Sequence, residues 1–123
     1  MRFAIIGYIN FELKRSMSWI YLILAILLEV SGTTSMKLSD GFSKFWPSAM
    51  IFVFYALSFT SLTYALKELE VSVTYAVWSG LGTVLIALIG IVWFKESVNP
   101  MKIISIAVII IGVIGLNLSH RFD

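Results

Sequence analysis

The chain has 123 residues, 59% of them hydrophobic and only 13% charged, with a mean hydropathy of +0.96; a soluble domain carries roughly a quarter charged residues, so that class is excluded. The net charge of +2 is the balance of nine basic and seven acidic residues; the basic ones are spread over predicted helix ends, which suits lipid headgroups and argues against nucleic-acid binding. With no cysteine, disulfides and thiolate metal sites are excluded too.

Residues 1–16 carry Arg2, Glu12, Lys14 and Arg15 around a short apolar piece. The apolar part precedes most of the charge and no small-residue cleavage site follows, unlike a secretory signal. Met17 is a natural start ahead of the first span. Residues 1–16 are therefore expected to be an N-terminal extension, either an upstream start or a short interfacial segment. Residues 17–123 are expected to form one domain, all-α and integral to the membrane. A bilayer core of about 30 Å takes about 20 apolar helical residues. Stretches 45–66, 71–94 and 103–120 contain no Asp, Glu, Lys or Arg, and 16–36 holds only Glu29. Four transmembrane helices are predicted, at 19–36, 45–66, 71–94 and 101–118.

The links are short, so neighbouring helices run antiparallel. Asp40-Gly41 is a turn signal. Trp46 is placed to anchor at an interface, and Pro47 is tolerated in a first helical turn. Lys67-Glu68-Leu69-Glu70 reads as a solvated link, and Pro100 opens the fourth span. His120 lies in a polar tail and is expected to be solvated. Arg2, Lys14, Arg15, Lys67 and Arg121 lie on one side of the membrane; Lys37, Lys44, Lys95 and Lys102 lie on the other. So small an asymmetry leaves orientation open, and an antiparallel dimer becomes possible.

Glu29 is a lone carboxylate within a span. A charged side chain at the bilayer centre costs upward of roughly 2.5–3.5 kcal/mol. The acid escapes that cost by staying protonated or by meeting a cation, and a site that alternates between the two exchanges protons for cations. Residues three, four and seven away share its helix face: Leu22, Ala25, Gly32, Thr33 and Met36. Gly32 leaves room, and Thr33 can donate a hydrogen bond to the carboxylate. A structural pair with Lys37 is poor, because eight residues rise about 12 Å; Lys37 can instead snorkel.

In the third span, Tyr75, Trp78 and Gly82 share one face, with Ser79 and Gly80 beside them. Ring faces attract organic cations by roughly 0.5–2 kcal/mol; the same rings would serve equally as packing residues. The second span presents Tyr55, Ser58, Phe59 and Leu62 on one face. In the fourth, Ser105 and Gly112 form a small-residue face suited to helix contact.

Several motifs in order, Trp19-Ile20-Tyr21-Leu22, Leu28-Glu29-Val30, Gly32-Thr33-Thr34, Met36-Lys37, Gly41-Phe42, Trp46-Pro47-Ser48 and Tyr75-Ala76-Val77-Trp78-Ser79-Gly80-Leu81-Gly82, resemble the small multidrug resistance family over about 17–119. The resemblance implies an antiparallel homodimer, or a heterodimer of two paralogues, in the cell membrane. It implies export of small lipophilic cations in exchange for protons, with the proton as coupling ion and no cofactor. By motif position Glu29 matches the shared proton and substrate carboxylate, and Tyr75 and Trp78 match the aromatic residues flanking it. Tyr55 matches the second-helix tyrosine, while Gly32 and Thr33 match the small pair after the acid. Gly80 and Gly82 match a third-helix bend, and Ser105 and Gly112 fall where the fourth helix dimerises. Trp19, Ser58 and Leu62 complete the candidate substrate-binding set.

The stretch 30–33 lacks the tryptophan that the guanidinium-exporting branch tends to carry after the acid, and so resembles the quaternary-ammonium branch. Trp19 stands where the family has a tyrosine, Thr60 where well-known members have a tryptophan, and Glu70 and Ser72 where a proline and a glycine are usual. Guanidinium-like ions or polyamines are an alternative cargo, with Glu68 and Glu70 available to polycations. An alternative of another class is a helix-packing subunit of a membrane complex without transport of its own. An enzyme is not expected: no nucleophile–base pair, metal-ligand cluster or phosphate loop is present.

Overall fold

The computed structural model describes residues 1–119; the expectation for His120 lies outside them. Four helices follow in order: α1 (Arg2–Ser39), α2 (Phe45–Ala65), α3 (Val71–Val92) and α4 (Pro100–Ser119). All four are long and apolar enough to cross a membrane. The last three match the predicted spans to within two residues at each end.

The first helix does not start with the first span. α1 runs for 38 residues without a break, about 57 Å at 1.5 Å per residue, nearly twice the hydrocarbon thickness. Glu12, Lys14 and Arg15 interrupt the hydropathy but are sound helix formers. Charge therefore limits how much of α1 lies in lipid, not where the helix begins. No residue before Ser18 is buried.

α1 ends at Ser39, which is buried and gathers the turn around itself. Its hydroxyl donates to the Met36 carbonyl and accepts from the Phe42 amide. Its carbonyl accepts from the amides of Ser43 and Lys44. Asp40, Gly41 and Phe42 all take the left-handed conformation, with φ of 48°, 66° and 66°, which reverses the chain within a few residues.

The core lies between α1 and its neighbours. Leu22, Ile26, Val30, Ala65 and Leu69 form its centre, and Trp19, Tyr21, Leu62, Trp78, Leu85 and Ile89 pack around them. α1 lies chiefly against α2 and also touches α3, while α4 joins through α3. Hydroxyl groups tie α2 to α1: Ser58 donates to the Ala25 carbonyl and Ser61 to the Tyr21 carbonyl, each at 2.7 Å. Within lipid, where apolar contact drives little association, such bonds and small residues set which faces meet.

The α3–α4 loop folds back over the end of α3. Lys95 is left-handed at φ 56°, the Glu96 amide donates to the Gly90 carbonyl, and the Glu96 carboxylate lies where a Cβ on residue 90 would stand. Asn99 caps α4 by accepting from the Lys102 amide at 2.8 Å. α4 has no buried residue, and Ile103, Ile104, Val108, Ile111 and Ile114 are all exposed. An apolar surface of that extent belongs against lipid or another helix.

Candidate functional site

Glu29 is half-buried on the face of α1 turned toward α3. Its two carboxylate oxygens have different surroundings. Oε1 accepts from the Thr33 hydroxyl at 2.9 Å, one helical turn on. The Tyr55 phenol lies 2.6 Å from the Thr33 hydroxyl and 3.4 Å from Oε1. Thr33 has a single proton and gives it to Glu29, so the phenol is the donor in that pair. α1 and α2 together thus hold Oε1. Oε2 faces α3, and a Cβ on Gly82 would stand 3.6 Å from it. Among the described residues Oε2 makes no hydrogen bond.

Glycine is required at one point of this arrangement. A Cβ on Gly32 would fall 2.6 Å from two atoms of the Tyr55 ring. The bare backbone at residue 32 is what lets the phenol reach Thr33 and Glu29.

Oε2 opens on a cavity of about 300 Å³ lined by Glu29, Thr33, Tyr75, Trp78, Ser79, Gly82, Thr83 and Ile86. From its aromatic wall on α3 a run of ring contacts leads to α2. Tyr75 meets Trp78 edge-on at 5.6 Å between centroids, Trp78 meets Phe59 edge-on at 6.5 Å, and Phe59 lies 5.8 Å from Tyr55. One hydroxyl at the wall, that of Thr83, donates to the Ser79 carbonyl at 2.6 Å. The chamber therefore combines one carboxylate with ring faces and aliphatic surface, a chemistry that fits a bulky organic cation.

The structure brings Thr33, Tyr75, Trp78 and Gly82 to the cavity with Glu29, and it joins Tyr55 to the acid by hydrogen bonding. Three other candidates lie elsewhere. Ser58 is buried with its hydroxyl spent on Ala25. Leu62 packs on the core. Trp19 lies ten residues ahead of Glu29, about 15 Å along the axis, and lines a separate cleft with Arg15, Glu70 and Asn117. The second-span face splits because α2 meets two helices at once: Ser58, Ser61 and Tyr55 turn to α1, while Phe59 meets Trp78 of α3.

The paired glycines of α3 also divide. A Cβ on Gly80 would fall 2.5 Å from Cγ2 of Val113, so Gly80 seats α4, whereas Gly82 faces the acid. α3 is helical through both. Ser105 is exposed, and nothing lies within 4 Å of a Cβ on Gly112, so among the described residues this face of α4 has no partner. Thr83 and Ile86 were missed from sequence. They continue the stripe of residues 75, 78, 79 and 82 by one more turn, so the signal was present.

The chain is similar to known proteins over most of its length. A family model described as Small Multidrug Resistance protein matches residues 17–109. An uncharacterized membrane protein of Bacillus subtilis, YvaE, is 56% identical over 83% of this chain and 86% of its own. The guanidinium exporter of Escherichia coli is 46% identical over 84% of this chain and 98% of its own. The quaternary ammonium compound-resistance protein QacC of Staphylococcus aureus is 44% identical over 83% and 95%. The chain is thus a multi-pass membrane protein that belongs to the small multidrug resistance family.

Proposed function

We propose that this protein exports lipophilic quaternary ammonium cations across the cell membrane in exchange for protons. The observation that carries this reading is the asymmetry of Glu29: Oε1 is tethered by Thr33, with Tyr55 behind it, while Oε2 is presented to a chamber walled by Tyr75 and Trp78. The tether keeps the carboxylate aimed into the chamber whichever guest it holds. When ionised, the acid attracts a cation, and the rings add their own attraction. A proton arriving at Glu29 removes the charge, and the cation leaves. An alkylated ammonium brings no N–H groups that need acceptors, and Tyr75, Trp78 and Ile86 offer its alkyl groups ring faces and aliphatic surface.

In an antiparallel dimer two copies of Glu29 share one chamber, and their protonation is coupled. Two oppositely oriented copies exchanging conformations around a midplane site then supply alternating access. The outer face of α4, with Ser105 and Gly112, supports the reading that this helix forms the seam.

Adding tetraethylammonium or tetraphenylphosphonium to detergent-purified protein tests the proposal. Proton release is expected from the native chain and none from Glu29→Gln. Release that survives in the variant would refute Glu29 as the exchange site. The second reading is guanidinium or polyamine export, favoured by the 46% identity to a guanidinium exporter. Guanidinium or spermidine evoking release where the alkylated cations do not would establish it instead.

A further inference from the structure

We propose that the cleft between the start of the first span and the α2–α3 link is a binding site for one acidic phospholipid, a phosphatidylglycerol headgroup with its glycerol backbone. The site is remote from the Glu29 chamber and does not rest on the transport reading.

The cleft has a volume of about 480 Å³ and is lined by residues from two segments distant in sequence. Lys14, Met17 and Tyr21 come from α1; Tyr64, Lys67 and Glu68 come from the end of α2 and the link. The continuity of α1 through residues 2–39 makes the site. On an unbroken helix Lys14 stands one turn from Met17 and two from Tyr21, and so it is carried over the same cleft as Lys67. Lys14 lies outside the stretch that matches the family model, 17–109.

Each wall fits a different part of a phospholipid. The Tyr21 and Tyr64 rings stack at 5.4 Å between centroids, and Tyr is enriched where headgroups meet hydrocarbon. The Lys67 ammonium lies 5.3 Å from the centre of the Tyr64 ring, at the exposed rim of the cleft. Met17 supplies apolar surface on the side leading into the span. Two ammonium groups against the single Glu68 carboxylate leave one net positive charge, the complement of one phosphodiester. Glu68 can accept from the glycerol hydroxyls that distinguish phosphatidylglycerol from phosphatidylcholine. Basic pockets between helices at the membrane surface recognise anionic headgroups in this way. The cleft stands at the level of the helix ends, where such headgroups lie.

The test is native mass spectrometry of the full-length protein after equilibration with equal amounts of phosphatidylglycerol and phosphatidylcholine. One phosphatidylglycerol is expected to be retained in preference. Lys14→Gln and Lys67→Gln are each expected to lower that retention by roughly fivefold, with the two effects multiplying in the double variant. Lys44→Gln, an exposed lysine at the opposite end of the spans, is expected to leave retention unchanged. All three positions are exposed, so a matching thermal unfolding midpoint confirms that each variant is folded. Equal retention of the two lipids, no effect of the double variant, or an equal loss in Lys44→Gln would each overturn the proposal. So would displacement of the lipid by millimolar inorganic phosphate, which would make the site one for a free anion.

Discussion

The Thr33 hydroxyl of α1 and the Tyr55 phenol of α2 approach to 2.6 Å, and through this contact a helix that does not carry the acid restrains it. Tyr55→Phe removes the phenol and leaves the ring that fills the space over Gly32. A hydrogen bond in a chain ending on a carboxylate contributes about 1.5 kcal/mol or more. Cation affinity at fixed pH is expected to fall about tenfold, with the fold intact. Equilibrium binding of a fluorescent cation, set beside a thermal unfolding control, measures both; undiminished affinity would show the tether to be idle.

Gly32 and Gly82 should respond oppositely to the same added methyl group. Gly32→Ala drives a Cβ into the Tyr55 ring, and overpacking of that kind costs about 1–3 kcal/mol. Gly82→Ala meets Glu29 Oε2 at an ordinary contact distance and gains about 1 kcal/mol of helix propensity. The first variant should unfold at lower temperature and the second at the same or a higher one. Gly82→Ala narrows the chamber at the carboxylate, so transport of tetraphenylphosphonium should suffer more than that of tetramethylammonium. Vesicle uptake of the two cations separates these effects.

Gly112→Leu probes the outer face of α4. Among the described residues nothing lies within 4 Å of a Cβ added there, so the monomer fold should tolerate leucine. If this face is the seam between two copies, the bulk should weaken the dimer, and chemical crosslinking in detergent should show more monomer. Undiminished dimer would move the seam off this face.

Thr74 is 1% exposed, and its hydroxyl is the buried side-chain polar atom without a partner among the described residues. Valine has nearly the same shape and no such group. Removing an unsatisfied buried hydroxyl relieves a desolvation penalty of about 1 kcal/mol or more. Thr74→Val is expected to raise the unfolding midpoint without changing cation binding, and a lowered midpoint would argue for an unseen partner at this position.

Helical periodicity carried part of the site and lost the rest. Glu29, Thr33, Tyr75, Trp78 and Gly82 were legible because each pair lies a whole number of turns apart on one helix, and spacing alone puts them on a common face. Ser58 and Leu62 share such a face with Tyr55 and Phe59, yet Ser58 bonds to the α1 backbone and Leu62 packs on the core, while Tyr55 reaches Thr33 and Phe59 meets Trp78. A stripe read from one helix does not say which neighbour each residue of that stripe will meet. Trp19 lies away from the acid for a related reason: its motif neighbours fix its register on α1, but the distance to Glu29 runs along the axis.

Alone, the sequence determined that the chain forms four apolar helices around a single intramembrane acid, because lipid admits only backbones that satisfy their own hydrogen bonds and the charges mark where lipid ends. It did not reveal that α1 is one helix from Arg2 to Ser39, since hydropathy reports solvent preference and not helix continuity. Only the tertiary structure decided that Oε1 of Glu29 is tied to α1 and α2 while Oε2 faces α3. It likewise decided that Gly80 seats Val113 and Gly82 faces the acid. Such assignments depend on how the helices are rotated about their axes, and that rotation is set by close contacts between residues far apart in the chain, such as Ser58 with Ala25 and Gly32 with Tyr55.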